Sequence, residues 1–438
     1  MTVPRYESYR DSGVEWLGEV PGHWGLKRLK YSLRLLTEKT DRRENPVALE
    51  NIESWSGRFI QTETNFEGEG VAFVKGDILF GKLRPYLAKA YLAESAGEAV
   101  GDFHVMRPTR STVGRFAQYQ ILNREFIAIV DGSTFGAKMP RASWDFLGSM
   151  VLTVPPISEQ KLIAAFLDGE TAKIDALIAE QHRLITLLKE KRQAISSHAI
   201  TKGLDCAAPM KDSGIPCLGD VPAHWEVRKL NSFTEKITNG FVGPTRDILV
   251  ESGVPYVQAT HIKNGRINFD GAYFVTREWS QSHSKSILRA GNVLLVQTGA
   301  GTGDVALVSD NETNFNCHAL IIIAPNKEVM QGAFLSLVMQ SAYGQQTLSS
   351  IQTGAMHPHL NCGEVKFIYL PVPPLEEQSA IVVSTHRKGQ QIEELIAEAE
   401  SGISFLLERR AALISAAVTG KIDVRGLLAS QRDTEVAA

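Results

Sequence analysis

"DSGVEWLGEVPGHWGLKRL" (residues 11–29) recurs later in the chain as "DSGIPCLGDVPAHWEVRKL" (residues 212–230). The two stretches are identical at ten of nineteen positions without a gap, and both contain the pattern Val-Pro-x-His-Trp. A long internal repeat is examined before any single element, because it sets the architecture of the whole chain. This one indicates a single structural plan used twice.

Further matches follow at a larger offset. "VPPISEQ" (154–160) pairs with "VPPLEEQ" (372–378), and "HAITKGLD" (198–205) pairs with "AAVTGKID" (416–423). Each copy therefore consists of an opening motif, a variable domain, a Val-Pro-Pro stretch and a final segment. Because the offset grows between the opening motif and the Val-Pro-Pro stretch, the second variable domain is longer than the first.

The segments after Val-Pro-Pro are predicted to be two long helices. Proline disfavours a helix in the residue before it, so each helix begins after the prolines, with Glu159 or Glu377 in its first turn. Apolar residues then recur at alternating spacings of three and four, which is the pattern of a coiled coil. The seam positions predicted to pack between the helices are Ile174, Leu177, Leu184, Leu188 and Ile195 in the first and Ile392, Leu395, Leu406 and Leu413 in the second. The alternative is that each helix packs only on its own domain.

The variable domains have the pattern of mixed α/β structure. Strand-like runs such as "VAFVKGDILFGKL", "GNVLLVQT" and "ALIIIAP" are separated by turn residues, whereas "GRFAQYQILNREFIAIV" and "GAFLSLVMQSAYGQQTL" look helical. We therefore predict an α+β (mixed α/β) fold with a pseudo-two-fold arrangement. The predicted segments are a first variable domain at 1–153, a first helix at 154–205, a second variable domain at 206–371, a second helix at 372–426 and a flexible tail at 427–438.

Composition limits the functions that the chain can have. It is 43% hydrophobic and 22% charged with a net charge of −3, and residues 1–150 hold 20 basic against 19 acidic side chains. A nucleic-acid surface would therefore be a local patch and not a basic domain. No apolar run reaches the roughly 20 residues of a membrane span, and the N-terminus lacks an apolar signal region, so a cytoplasmic protein without membrane contact is expected. The four cysteines form no CxxC pair and are expected to be reduced thiols.

No catalytic or metal-binding pattern stands out. "GAGTGD" from Gly299 fits neither a P-loop nor a dinucleotide-binding fingerprint, and a tight turn between two strands explains it better. Glu159 and Lys161 have the local look of a metal-dependent nuclease, but Lys161 corresponds to Ser379 in the second copy. His357 and His359 lack an evident third ligand. We therefore expect no catalytic site, no metal and no cofactor in this chain.

The repeated motifs resemble those of the specificity subunits of type I restriction–modification systems. The residues that carry the resemblance are "GEVPGHW"/"GDVPAHW", the two Val-Pro-Pro segments with their Glu-Gln, the helix ends and "GDILFGKLRPYL" from Gly76. The likeness covers nearly the whole chain. It implies two tandem target recognition domains, each reading half of a split sequence in double-stranded DNA, and two long antiparallel coiled-coil helices that act as a spacer between them.

The resemblance also implies partners. Members of this family recruit two methyltransferase subunits and, for cleavage, restriction subunits with motor and nuclease activity. S-adenosylmethionine, ATP and Mg²⁺ are then expected on those partners. The alternative is a self-contained restriction enzyme or methyltransferase whose catalytic site escapes recognition.

In the first domain, "GKLRPYLAK" places Lys82, Arg84 and Tyr86 at alternate positions, hence on one face if this segment is a strand. Arginine can bond guanine or phosphate, lysine can neutralise phosphate, and tyrosine can bond phosphate or pack on sugar. A solvated strand face is the alternative. Lys138 and Arg141, in a predicted loop, are further candidates, because the aligned loop of the second copy carries different residues.

In the second domain, "VQATHIKNGRINF" offers Gln258, His261, Lys263, Asn264 and Arg266. Asn-Gly is a strong hairpin signal, so these donors are expected near a hairpin tip. The alternative is a plain polar turn. Weaker candidates for DNA contact are Gln297, Thr298, His357 and His359. Trp24 and Trp225, which occur in both copies, are assigned to packing.

Overall fold

The computed structural model describes residues 4–41, 44–62, 68–134, 139–271, 273–354 and 358–427. Contacts divide the chain into two units, one formed by residues 1–182 with 400–438 and the other by residues 183–399. Each unit contains one variable domain together with a part of both long helices. The helices are therefore shared by the two units.

The first copy contains twelve strands and five α-helices among its described residues. The strands are β1 (Tyr9–Asp11), β2 (Glu19–Pro21), β3 (Gly25–Arg28), β4 (Leu33–Leu36), β5 (Lys39–Thr40), β6 (Pro46–Val47), β7 (Gly70–Phe73), β8 (Ile78–Gly81), β9 (Ala90–Leu92), β10 (Gly97–Ala99), β11 (Phe103–Pro108) and β12 (Val151–Val154). The helices are α1 (Leu29–Ser32), α2 (Gly114–Ile121), α3 (Arg124–Gly132), α4 (Trp144–Ser149) and the long α5 (Ile157–Lys202).

The second copy contains fourteen strands and five α-helices among its described residues. The strands are β13 (Met210–Asp212), β14 (Asp220–Pro222), β15 (Glu226–Lys229), β16 (Thr234–Asn239), β17 (Leu249–Val250), β18 (Val254–Val257), β19 (Ile262–Lys263), β20 (Arg266–Ile267), β21 (Phe274–Val275), β22 (Val293–Val296), β23 (Val305–Leu307), β24 (Asn316–Cys317), β25 (Leu320–Pro325) and β26 (Tyr369–Val372). The helices are α6 (Arg277–Ser282), α7 (Gly332–Gln340), α8 (Ala342–Ser350), α9 (Cys362–Val365) and the long α10 (Leu375–Val418).

Each variable domain is built on a four-stranded antiparallel sheet, with strand order β4-β11-β8-β9 in the first and β16-β25-β22-β23 in the second. A second four-stranded sheet in each domain includes one parallel pair, β6 with β10 and β18 with β24. The predicted α+β class is thus confirmed. The turn predicted at "GAGTGD" is also confirmed, since it joins the antiparallel strands β22 and β23.

The two segments expected to be helical are helical, and each consists of two consecutive helices. Asn123 separates α2 from α3, and its side-chain oxygen accepts hydrogen bonds from the backbone of Glu125 and Phe126. Ser341 does the same before α8 by accepting from Gly344. Short polar side chains that bond the free N–H groups of a helix start favour such a break.

In each variable domain the strand at its start pairs with the strand at its end. Strand β3, at the end of the first opening motif, pairs with β12, which precedes α5, so that Gly25 lies opposite Val154. In the second copy β15 pairs with β26 in the same register, with Glu226 opposite Val372. A domain whose two ends meet on one strand pair can vary internally without moving its attachment.

The opening motif is attached to the first turn of the long helix by one carboxylate. Glu159, which is buried, accepts from Trp24 Nε1 at 3.1 Å and contacts His23 Nε2 at 2.9 Å. In the second copy Glu377 takes the same contacts, with Trp225 Nε1 at 3.0 Å and His224 Nε2 at 2.8 Å. This geometry explains why both copies keep His-Trp and the glutamate, and it confirms that the tryptophans serve packing.

The glutamine that follows the glutamate attaches the variable domain to the same turn. The Gln160 side chain donates to Pro155 O and Ser111 O and accepts from Val113 N. Gln378 makes the equivalent three bonds to Pro373, Val329 and Gln331. The Glu-Gln pair in both Val-Pro-Pro motifs is therefore structural.

The two long helices, of 46 and 44 residues, contact each other in antiparallel register within each unit. In the first unit Arg410 of α10 bonds Asp175 of α5, with Nε and Oδ1 3.0 Å apart. In the second unit Arg192 of α5 lies 2.7 Å from Glu393 of α10. From the first pair to the second, α5 advances along the chain while α10 goes back by an equal step, as antiparallel pairing requires.

The seam between the helices differs by one residue from the predicted one at several positions. Ile174, Leu188 and Ile392 are buried as predicted, Ile195, Leu406 and Leu413 are half-buried, but Leu177, Leu184 and Leu395 are exposed. The neighbouring positions Ile178, Ile185 and Ile396 are the more buried ones instead. Both phases keep the heptad spacing, so the choice between adjacent apolar residues could not be made from sequence.

The seam register can be tested with two neighbouring residues of one helix. Ile185→Ala should lower the free energy of unfolding by about 2 kcal/mol or more, because it removes buried methyl groups from the seam. Leu184→Ala should change it by less than about 0.5 kcal/mol, because Leu184 is exposed. The measurement is denaturant unfolding of both variants, and the reverse order would contradict the register.

The carboxylate clamp can be tested by removing it. Glu159→Ala should lower stability by about 2–4 kcal/mol, because it leaves the buried Trp24 N–H without an acceptor. Glu377→Ala should cost less, because the Glu377 side chain is 24% exposed against 6% for Glu159. Exposed Glu376 in the same first turn is the control, and its alanine variant should lose only about 0.3–1 kcal/mol of helix-dipole stabilisation. Calorimetry of the three variants would expose an error if Glu159→Ala unfolds like the Glu376 control.

Candidate nucleic-acid interface

The candidate residues of the first domain gather at one end of its four-stranded sheet. Strand β8 ends at Gly81, and Lys82 N then donates to Asp102 O, just before β11, at 2.7 Å. A second segment joins this end, because Ala142 N donates to Lys82 O at 2.9 Å and Arg84 N donates to Pro140 O at 3.0 Å. Lys82, Arg84 and Arg141, far apart in sequence, thus lie in two paired backbone segments.

Arg141 is held by an acidic neighbour at this end of the sheet. Its Nη2 atom lies 2.9 Å from Asp102 Oδ2, while 57% of the arginine side chain remains exposed. An exposed ion pair of this kind adds little stability, so its effect is mainly to orient the guanidinium group. Sequence reasoning missed Asp102, whose only signal was an acidic residue directly before a strand.

Lys82, Arg84 and Tyr86 would share one face if their segment were a strand, but the segment is not a strand. The chain leaves β8 at Gly81, Arg84 has a left-handed backbone with φ of 50°, and Pro85–Leu87 forms a 3₁₀ turn. The three side chains therefore do not alternate along one strand face. Arg84 and Tyr86 are nevertheless exposed beside the sheet end, where they remain available to a ligand.

The second domain repeats this backbone arrangement with other side chains. Leu360 N donates to Gln297 O at 2.9 Å, and Thr298 is bridged to His359, as Leu83 is to Arg141. Gln297 therefore takes the place of Lys82, and His359 takes the place of Arg141. Gln297 is 9% exposed and its Nε2 lies 3.5 Å from His359 Nε2, while Thr298 is exposed.

The predicted hairpin of the second domain is confirmed. Asn264 and Gly265 have φ of 52° and 79°, as a two-residue turn requires, and Lys263 pairs with Arg266 across it. Lys263, Asn264 and Arg266 are exposed, and Gly265 is bridged to Ala306 in β23. Two cations and an amide thus project from the edge of the sheet.

His261 stabilises the local backbone and does not face a ligand. It is 3% exposed, and its Nδ1 accepts from Gln258 N at 3.0 Å, which closes the 3₁₀ turn at Ala259–His261. Because its side chain is buried, His261 is not accessible to DNA, contrary to the prediction. Gln258 is half-buried at the start of this turn. Lys138 and His357 lie outside the described residues.

Two further groups at these sheet ends were not predicted. His104, in β11, bonds Ala142 O at 3.0 Å, and burial together with the nearby Lys82 charge lowers its pKa to about 4, so it is neutral at neutral pH. In the second domain Phe241 follows β16 and packs against Trp279 and His283, each with ring centroids 5.0 Å away, beside His318. Isolated aromatic residues so far apart in the chain gave no signal in the sequence.

The residues suspected of nuclease chemistry are occupied elsewhere. Glu159 holds the opening motif, and no group of three or more His, Cys, Asp or Glu able to hold a metal was found within the described ranges. All four cysteines are free thiols. Within the same ranges, no helix is both long and apolar enough to cross a membrane.

Comparisons with known proteins agree on one family. Residues 222–396 match the type I restriction modification DNA specificity domain. The chain is 24% identical over 285 residues to the Escherichia coli EcoBI specificity subunit, a match that spans 63% of this chain and 58% of that protein. It is 24% identical over 440 residues to the putative MjaX specificity subunit of Methanocaldococcus jannaschii, spanning 93% of this chain and 96% of the relative.

Solved structures share the fold. A chain from a structure concerned with complex assembly and conformational transition of the type I restriction–modification system superimposes with a TM-score of 0.73, covering 91% of this chain and 98% of that one at 16% identity. The HsdS subunit from Thermoanaerobacter tengcongensis gives a TM-score of 0.53, covering 92% of this chain and 98% of that one at 17% identity. Together with the repeated motifs and the two long helices, these matches make the chain similar in sequence and in fold to the specificity subunits of type I restriction–modification systems.

Proposed function

We propose that this chain reads an asymmetric, bipartite DNA sequence for a type I restriction–modification complex. The observation that carries the proposal is one backbone arrangement used twice with different side chains. Where the first domain presents Lys82 and Arg141, the second presents Gln297 and His359. Two readers built alike but with different polar groups would recognise two different half-sites.

The charge distribution fits recognition by local patches. The end of the first sheet carries Lys82, Arg84 and Arg141, and the hairpin of the second domain carries Lys263 and Arg266. Such cations would bond phosphates and fix the register on the duplex, while the less charged groups beside them would contact base edges. A nearly neutral chain can bind DNA in this way.

The long helices carry a surface suited to two copies of one partner. Leu177 and Leu395 occupy equivalent positions of the two helices and are 52% and 49% exposed, and Leu187 and Phe405 are likewise equivalent at 52% and 68%. The first unit therefore exposes Leu177 with Phe405, and the second exposes Leu395 with Leu187. When two equivalent helices pair in antiparallel fashion, the same flank of each helix lies on the same side of the pair. The two residues of each pair, which we call an apolar patch, therefore lie on one side of the helices.

We assign these two apolar patches to two methyltransferase subunits. Large exposed apolar side chains that recur in both copies mark protein interfaces more often than single scattered ones do. The chain would thus select the sequence, and its partners would transfer the methyl group from S-adenosylmethionine or, as restriction subunits with ATP and Mg²⁺, cleave. The chain itself would be non-catalytic and, like the DNA it reads, cytoplasmic.

Exchange of one domain tests the reading of DNA. Residues 29–150 lie between the paired strands β3 and β12, so the matching segment of a relative can replace them without moving the attachment to α5. The hybrid should recognise a site changed in one half only. Mapping of methylated bases in cells that express the hybrid with its methyltransferase is the measurement. A change in both halves, or in neither, would contradict the proposal.

Charge substitution tests the docking of partners. Phe405→Glu and Leu187→Glu each place a carboxylate in one patch, and each should weaken one docking site by about 30-fold or more. Native mass spectrometry should then find one methyltransferase copy bound instead of two, and none in the double variant. Val383→Glu, on an exposed apolar residue of α10 outside the patches, is the control and should keep both copies. Two copies on the double variant would refute the assignment.

A further inference from the structure

Arg141 and His359 occupy the same position in the two variable domains. Each is bridged to the second residue after a central strand, Leu83 after β8 and Thr298 after β22. The residue after each of them donates its backbone N–H to the carbonyl of the first residue after the same strand. Ala142 donates to Lys82 and Leu360 donates to Gln297, both at 2.9 Å. The backbone therefore aims these two side chains alike.

Each of the two side chains is steadied by a polar neighbour, but the neighbours differ in origin. Arg141 is held by Asp102, which precedes β11, whereas His359 is held by Gln297, which follows β22. The support has thus been built independently in the two domains around a shared position.

The two side chains offer different chemistry to a base pair. An arginine presents a rigid fork of donors that matches the O6 and N7 acceptors of guanine. A neutral histidine presents one donor and one acceptor and cannot make that two-pronged contact. With its acidic partner on Nη2, Arg141 still has its other guanidinium nitrogens for a ligand.

We infer that Arg141 and His359 are the residues through which the two domains prefer different bases at the corresponding position of their half-sites. Arg141 selects guanine in the first half. His359 selects a base other than guanine, or accepts several, in the second. This inference rests on the proposed reading of DNA and names the position at which the two readers diverge. Asp102 is a positioning residue that acts through Arg141.

The test is a reciprocal exchange of the two side chains in the full chain. Wild type, Arg141→His, His359→Arg and the double variant are each used to select bound sequences from randomised double-stranded DNA, together with the co-expressed methyltransferase subunit. Arg141→His should lower the preference for guanine at one position of one half-site by about 5- to 150-fold. His359→Arg should create a guanine preference in the other half, a gain that no unfolded variant can show.

Controls separate base reading from other effects. The control Arg28→His changes an exposed arginine on β3, shortly before β4 begins. Leu33 of β4 lies opposite Pro108, which is at the end of β11 far from Asp102, so Arg28 belongs to the other end of the sheet. This variant should leave both half-sites intact. Asp102→Asn should weaken the preference for guanine only at the base that Arg141 reads. It should leave the number of base pairs between the two half-sites unchanged.

The outcomes distinguish this inference from the proposed function. A uniform loss of affinity for all sequences with a smaller salt dependence would make Arg141 a phosphate contact and overturn the inference. Unchanged half-sites in both single variants would overturn it too. If the wild-type complex selects no sequence at all, the proposed function fails instead.

Discussion

A carboxylate at the start of each long helix holds the structure of each copy together. Glu159 and Glu377 lie where the free N–H groups and dipole of a helix favour negative charge, and each is also the acceptor for a buried indole N–H. A buried tryptophan without an acceptor would be costly, so its position relative to the helix is fixed. The paired strands β3 and β12, or β15 and β26, then fix the domain on the same turn. Variation inside the domain leaves these contacts untouched.

The charge pairs between the helices are related by the repeat. Arg192 corresponds to Arg410 and Asp175 to Glu393, so each arginine bonds the acid of the other copy. The surroundings have diverged: the Arg410 side chain is 10% exposed and also donates to Trp55 O at 3.1 Å, whereas that of Arg192 is 54% exposed. Removing one partner of a desolvated ion pair lowers stability more than removing one partner of an exposed pair does. In the first unit the arginine of this pair thus also binds the loop of the first domain that contains Trp55. In the second unit the equivalent pair stays exposed at the surface.

The sequence predicted what repeats and what depends on local turn chemistry. The duplicated plan, the two long helices, the mixed sheets and the Asn264–Gly265 hairpin followed from motif spacing, Pro-Pro stops and turn residues. The seam was displaced at Leu177, Leu184 and Leu395, because each has an apolar neighbour that fits the same heptad spacing. The strand through Arg84 failed because the following proline and a left-handed residue end it. Contacts between distant segments, such as Asp102 with Arg141 and Gln297 with His359, leave no trace in a single sequence.

Segments near the two ends of the chain, at residues 4 and 423, meet. Asp423, just after α10, donates its backbone N–H to Pro4 O at 2.9 Å, and Gly420 lies against Pro21 and Trp24 of the first opening motif. In the second unit Gly203, at the end of α5, lies against Trp225 and leads into the second opening motif through a covalent connection. The junction at Gly203 is part of the continuous chain, whereas the one at Gly420 is held by non-covalent contacts. In both, the end of a long helix packs against the tryptophan of an opening motif. A half-length polypeptide would contain every residue type needed to make both junctions with a second copy of itself. The present chain therefore has the organisation of a duplicated half-length polypeptide, in which equivalent junctions are made once through the covalent chain and once through non-covalent contacts.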